Sequence, residues 1–168
     1  MTTQIEANYI EGFSNSDIIR AKEAIEILEA LVNSQEFKKA VISERRFKRR
    51  KIKTKSGNHK YTNTEILNLI LSGEDLKNSA NNIVNLNLKL YDSKKNEIGN
   101  TNTSTLIIST YRGYFINSDI KCYTCHILHE YMHVIGFTHS FFNVFGREYT
   151  VPYRIGTIAK KILNCNYN

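Results

Sequence analysis

The sequence predicts an α+β domain: helices first, strands in the middle, then a helix that carries most of the histidines. Three observations predict it. Apolar residues recur at helical spacing between residues 18 and 32. They alternate strictly between residues 84 and 90, and the helical period returns from about Ser118 to Gly136. With 168 residues, 41% of them hydrophobic and 23% charged, the chain is long enough for a single domain with a sizeable core.

The elements follow in order. In "NSDIIRAKEAIEILEALVNS", Ile18, Ala21, Ile25, Leu28 and Val32 form an apolar stripe that Ala24 and Leu31 widen. Asn15 or Ser16 is the expected N-cap. A short helical stretch, "SQEFKKAVI", comes next. The basic segment after it is expected to be extended, with "SGNH" (Ser56 to His59) as its turn. "TNTEILNLILSG" is a further helix, capped by Thr62 or Asn63 and ended by Gly73. "NIVNLNLKLYD" places Val84, Leu86, Leu88 and Leu90 on one face of a half-buried strand. "SKKNEIGNTNTS" is expected to be a polar turn region. "TLIISTYRGYF", Thr105 to Phe115, supplies one or two strands through its β-branched and aromatic residues. Asn117 or Ser118 should cap the helix that ends at Gly136, and "IGTIAKKIL" is a last helix.

Charge is concentrated. The net charge is +7, and between Lys38 and Lys55 stand ten Lys or Arg and one Glu, while the remaining 13 basic and 15 acidic residues nearly cancel. Such a run can bind an acidic macromolecule, nucleic acid or an anionic membrane surface. The plain alternative is a solvated surface strand or loop, since no stacking aromatics accompany it. No apolar run is long enough to span a membrane. The N-terminal stretch lacks a basic region followed by an apolar one, so it reads as no signal peptide. That reading leaves the cytoplasm, a leaderless export route, or a leader missing from this chain, and the chain is expected to be a monomer. Three cysteines, Cys122, Cys125 and Cys165, argue by their odd count against a disulfide framework.

Three of the five histidines fall in "HEYMHVIGFTH", His129 to His139. On a helix, His129 and His133 stand one turn apart on one face, where two neutral imidazoles can reach one zinc ion. Gly136 can stop the helix in a left-handed conformation, and His139 can then close the site. Three protein ligands leave a fourth position for water, which marks a catalytic zinc. Glu130, offset from the ligand line, is placed to take a proton from that water and pass it to a leaving amine. Five specified letters match by chance in under roughly one chain in 10^4 at average residue usage. A structural zinc would want a fourth protein ligand, for which Cys125 or His126 would serve. "CYTCH", Cys122 to His126, also matches the c-type haem attachment pattern, which needs an oxidising, exported setting. Its plain alternative is small packing residues on a buried helix.

"HEYMHVIGFTH" resembles the extended zinc signature HExxHxxGxxH of the metzincin metallopeptidases. The resemblance implies a twisted mixed sheet, an active-site helix and a short C-terminal subdomain, divided here at about residues 1–136 and 137–168. It implies a zinc-dependent endopeptidase with one zinc per chain, His129, His133 and His139 as ligands, Glu130 as general base, and a peptide or protein substrate. It also implies a sheet edge, expected in "TLIISTYRGYF", that pairs with an extended substrate. One departure stands out: no methionine follows Met132, so the turn that names the family is absent. "YTVPYRIG", Tyr149 to Gly156, occupies that place and resembles the VPYxIG segment of small bacterial metzincin-like peptidases. Tyr153 then either replaces the methionine as support or reaches the metal or the tetrahedral intermediate with its hydroxyl; otherwise it is a packed aromatic beside Pro152. The competing function is a basic binding module for nucleic acid or an anionic surface, with a structural or vestigial zinc site.

Overall fold

A computed structural model describes residues 2–48, 50–52, 59–92, 98–139 and 146–165. Among these, one four-stranded mixed sheet and six α-helices make a mixed α/β fold. The sheet order is β1-β2-β4-β3, with β1 Gln4–Glu11, β2 Ile83–Tyr91, β3 Gly99–Asn102 and β4 Ile107–Tyr111. β1 and β4 flank β2 in parallel, and β3 closes one edge antiparallel to β4.

The clearest expectation is met in β2. Val84, Leu86, Leu88 and Leu90 are buried and the residues between them are not, as the two-residue period of a pleated strand requires. β1 is the strand the sequence did not announce. Of its eight residues only Ile5 is fully buried, so "QIEANYIE" carries no apolar alternation to read. Its place comes from the ladder with β2, nearly eighty residues away.

α1, Asn15–Asn33, begins one residue earlier than expected. Ser14 is the N-cap, its hydroxyl accepting from the Asp17 N–H while the Asp17 side chain accepts from the Ser14 N–H. α2 spans Gln35–Ser43 and α3 spans Asn63–Ser72. Thr62 caps α3 in a second capping box with Glu65, and Gly73 ends it with φ 70°. A Cβ on Gly73 would stand 2.1 Å from the Ile83 carbonyl oxygen, so only glycine fits between α3 and β2.

Around β4 the expectation of one or two strands in "TLIISTYRGYF" resolves to one, and Arg112–Asn117, at its C-terminal end, is a short helix, α4. α5, Ile120–Ile135, is therefore capped by Asp119 and not by Asn117 or Ser118. β4 lies between β2 and β3, so the edge strands are β1 and β3, and β3 falls inside the segment expected to be a turn. Residues 93–97 of that segment lie outside the described residues, as do 56–58 of the expected "SGNH" turn. Within the basic run, Lys38 to Ser43 belong to α2, and the following stretch is extended only locally, at a Lys48–Thr150 bridge. Phe47 and Ile52 are buried and anchor it, while Arg45, Arg46, Lys48 and Lys51 are exposed. Arg49 and residues 53–55 lie outside the described residues.

α6 is longer than expected. It spans Val151–Leu163 with Pro152 in its first turn, where a missing N–H costs nothing. Arg154, on that turn, donates through Nε and an η nitrogen to Glu44 at the end of α2, at 3.1 and 2.5 Å. α5 and α6 pack side by side in opposite directions. Cys122, near the start of α5, is disulfide-bonded to Cys165, just past α6, which overturns the expectation of unpaired cysteines. Two of three cysteines suffice when the fold brings them together, and Cys125 remains a buried free thiol that burial pushes up to about 12. The disulfide also takes the first thiol of the CxxCH pattern out of play. Among the described residues no helix is long and apolar enough to cross a membrane.

Candidate metal centre

The site is built at the C-terminal end of α5. His129 and His133 are one turn apart, with ring centroids separated by 5.4 Å. Gly136 caps the helix at φ 116°, and its N–H and that of Phe137 return to the Met132 carbonyl at 3.2 and 2.9 Å. This closes the last turn in the manner of a Schellman cap. A Cβ on Gly136 would lie 2.7 Å from Ile52 and 2.8 Å from Leu76, so both φ and space demand glycine. Phe137 goes into the core, and the reversal delivers His139 to within 4.8 Å of the His133 ring centre and 5.9 Å of the His129 ring centre. Candidate ligand atoms of His129, His133 and His139 all lie within 4.8 Å of one another, close enough to hold one metal ion.

The donor set fits a metal in two further ways. The His133 Nδ1 lies 2.7 Å from the Phe137 carbonyl, a bond that requires Nδ1–H to donate and leaves Nε2 as the free lone pair. The turn that positions His139 thus also sets the tautomer of His133. Burial lowers the His129 and His133 pKa values, and Arg147 adds to both, so the imidazoles are held in the neutral form that ligates. Neither Cys125 nor His126 joins the group among the described residues. His126 turns toward the sheet, its Nε2 3.1 Å from the Thr110 hydroxyl, and burial pushes its pKa down to about 3.

Glu130 is not among the three grouped histidines, and its side chain meets β3. The Thr101 hydroxyl donates to Glu130 Oε2 at 2.7 Å and lies 3.1 Å from the Glu130 carbonyl. The His126 Nδ1 is 3.8 Å from the other carboxylate oxygen. Burial pushes the Glu130 carboxyl up to about 7, against the Thr101 hydroxyl and Arg147, which both lower it. A carboxylate tuned to that range is suited to accept and return a proton near neutral pH. Strand periodicity explains why β3 reaches it. Gly99 and Thr101 share one face, opposite His126 and Glu130 one helical turn apart. A Cβ on Gly99 would stand 2.8 Å from His126 Nε2 and 2.2 Å from the Ser109 carbonyl oxygen. The approach of strand to helix therefore depends on glycine.

Tyr153, on the first turn of α6, joins the histidines. Its ring meets His129 edge-on at 4.8 Å and His139 at 5.3 Å between centroids. Arg147 stands over the Tyr153 ring at 4.8 Å. Burial raises the Tyr153 pKa, with Arg147 opposing. Gly156, one turn further, lies against His129. The segment expected beneath the metal is thus the start of a helix and not a turn. These residues line a cleft of about 870 Å³ between α5, α6 and β3.

Thr101, Gly99 and Arg147 were not legible as site residues. The only sequence signal for the first two is the alternation in "GNTN", too short to separate from a turn. Arg147 carries none. No family model, no curated protein and no solved structure matches this chain.

Proposed function

We propose that the chain is a metzincin-like, zinc-dependent endopeptidase. The observation that carries this reading is the division of labour on α5. Three imidazoles converge on one point, while the adjacent carboxylate is held apart from them by a side chain of the edge strand. Zinc held by His129, His133 and His139 would supply Lewis-acid polarisation of a carbonyl and acidify a water molecule. Glu130 accepts the proton of the attacking water and returns it to the leaving amine. Thr101 holds one carboxylate oxygen in a hydrogen bond, and Glu130 lines the cleft. β3, the antiparallel edge, offers backbone N–H and C=O groups to an extended peptide, giving binding with little demand on side-chain identity. For Tyr153 we favour a supporting role, because its ring packs on two of the three imidazoles.

The test joins metal analysis to peptide cleavage. The protein should bind one zinc per chain, and His133→Ala should abolish stoichiometric binding. Glu130→Ala should keep the metal and lose turnover by about 10²–10⁴-fold, the usual contribution of a general base. A full equivalent of zinc in His133→Ala, or equal cleavage by Glu130→Ala, would reject the assignment. A basic binding module would instead show steeply salt-dependent association with DNA or anionic vesicles and no cleavage.

A further inference from the structure

The charge of the cleft wall is uneven. Its charged lining residues are Glu130, Arg147 and Lys160. Glu130 is buried and already hydrogen-bonded to Thr101, whereas Arg147 and Lys160 are exposed. Among the described residues neither cation has an ion-pair partner. Glu148, beside Arg147 in chain order, does not line the cleft.

The two cations stand at opposite ends of the reacting region. Tyr153, Gly156, Thr157 and Lys160 form one stripe along α6, and all four line the cleft. Arg147 lies over the Tyr153 end, and His129 lies against Gly156 in the middle. Tyr153 and Lys160 are seven residues apart, or about 10 Å along the helix axis. An extended peptide covers that distance in about three residues. The described part of the basic run abuts the Arg147 end. The Lys48 N–H donates to the Tyr149 carbonyl at 2.6 Å, and its ammonium stands 4.7 Å from the Tyr149 ring centre. Lys161, next to Lys160 in chain order, is also exposed.

Resting on the peptidase reading above, we infer that the substrate is an acidic polypeptide, with carboxylates on both sides of the bond cut, held by Arg147 on one side and Lys160 on the other. A cleft rimmed by one sign of charge focuses its field and raises the local concentration of an oppositely charged chain. A polypeptide fits better than single-stranded nucleic acid. The edge β3 offers ladder hydrogen bonds to an extended backbone. Among the described residues, the aromatic ring packed on His129 and His139 is Tyr153, and Arg147 stands over its face, so it offers no open base-stacking platform.

The test uses the zinc-loaded full chain carrying Glu130→Gln, so that binding is read without turnover. Two fluorescent peptides are compared by anisotropy: one with glutamates on both sides of its centre, and the isosteric peptide with glutamines. The acidic peptide should bind about tenfold more tightly at low salt, and the preference should shrink as the Debye length contracts to about 3 Å near 1 M salt. The double substitution Arg147→Ser, Lys160→Ser should bring the affinity ratio near unity, while Lys22→Ser on exposed α1 should leave it unchanged. Equal affinities in the parent, or a preference that survives the double substitution, overturns the inference. Single-stranded DNA bound more tightly than the acidic peptide, and released by the same double substitution, also overturns it in favour of a nucleic-acid groove. Binding as expected, with no cleavage of the acidic peptide by the protein with Glu130 restored, rejects the peptidase reading alone. Cleavage of both peptides at equal rates and equal affinity rejects this inference alone.

Discussion

The two ends of the α5–α6 pair are fastened by different chemistry. At one end the Cys122–Cys165 disulfide joins the helices covalently. At the other, three imidazoles and the Tyr153 ring meet, with the Arg154–Glu44 pair holding the first turn of α6 from outside. The covalent end needs no ligand. The histidine end gathers imidazole donors whose mutual arrangement rests on packing and a helix cap. The difference suggests a rigid anchor about 10 Å along α5 from the site, counting seven residues from Cys122 to His129 at about 1.5 Å each. It also suggests that the site can be altered without loosening the anchor.

The largest expected effect on stability comes from cutting the anchor. Cys122 and Cys165 are 43 residues apart in sequence. On the chain-entropy account, closing a loop of that size stabilises the fold by about 4 kcal/mol. Cys122→Ser with Cys165→Ser should therefore lower the unfolding free energy by roughly that amount in a denaturant titration. Zinc should still bind at one equivalent to the folded double variant. Loss of zinc while the fold persists would show that the two ends are not independent.

A somewhat smaller effect is expected at the outer clasp of the histidine end. Arg154 and Glu44 are both largely buried, with side chains 7% and 8% exposed. Glu44→Gln should cost about 3 kcal/mol at neutral pH, because it leaves the guanidinium without its counter-charge. Burial alone pushes the Glu44 carboxyl up. Arg154, with the Arg46 N–H and charge, outweighs burial and holds it below the ordinary value. A carboxyl lowered in the folded state contributes its stability above the unfolded pKa, near 4.3, and loses it as pH falls through the folded value. Wild type should therefore lose stability faster than Glu44→Gln as the solution is acidified below about pH 4. Parallel pH profiles would mean that the pair contributes nothing net.

The smallest effect distinguishes the roles open to Tyr153. Its ring is only half-buried, so Tyr153→Ala should cost less than the 3–5 kcal/mol of a fully buried aromatic, about 2 kcal/mol, and should weaken zinc binding. Tyr153→Phe should leave stability, zinc affinity and kcat near wild type if the ring only supports the histidines. A fall in kcat with Phe at unchanged stability would assign the hydroxyl to the reaction. An Ala variant unaltered in stability, metal content and turnover would remove Tyr153 from the site.

What could be read in advance divides along the same line. α1, α3, β2 and α5 each advertised themselves through a period that is local, whereas β1 did not. A strand with one fully buried residue has no pattern of its own, and "GNTN" is too short to show one. The Thr62 cap of α3, Gly73 and Gly136 were legible because caps and left-handed glycines are settled within a few residues.

By itself the sequence determined the convergence of His129, His133 and His139. Their spacing spans one helical turn and one glycine reversal, both fixed by short-range geometry. Tertiary structure alone decided which groups approach that corner from elsewhere. Thr101 reaches Glu130 across 29 residues, Cys165 reaches Cys122 across 43, and Glu44 reaches Arg154 across 110. Those meetings depend on how the sheet and helices pack as whole bodies. A side chain's contacts across such separations follow from the summed burial of many residues, and no local spacing records them.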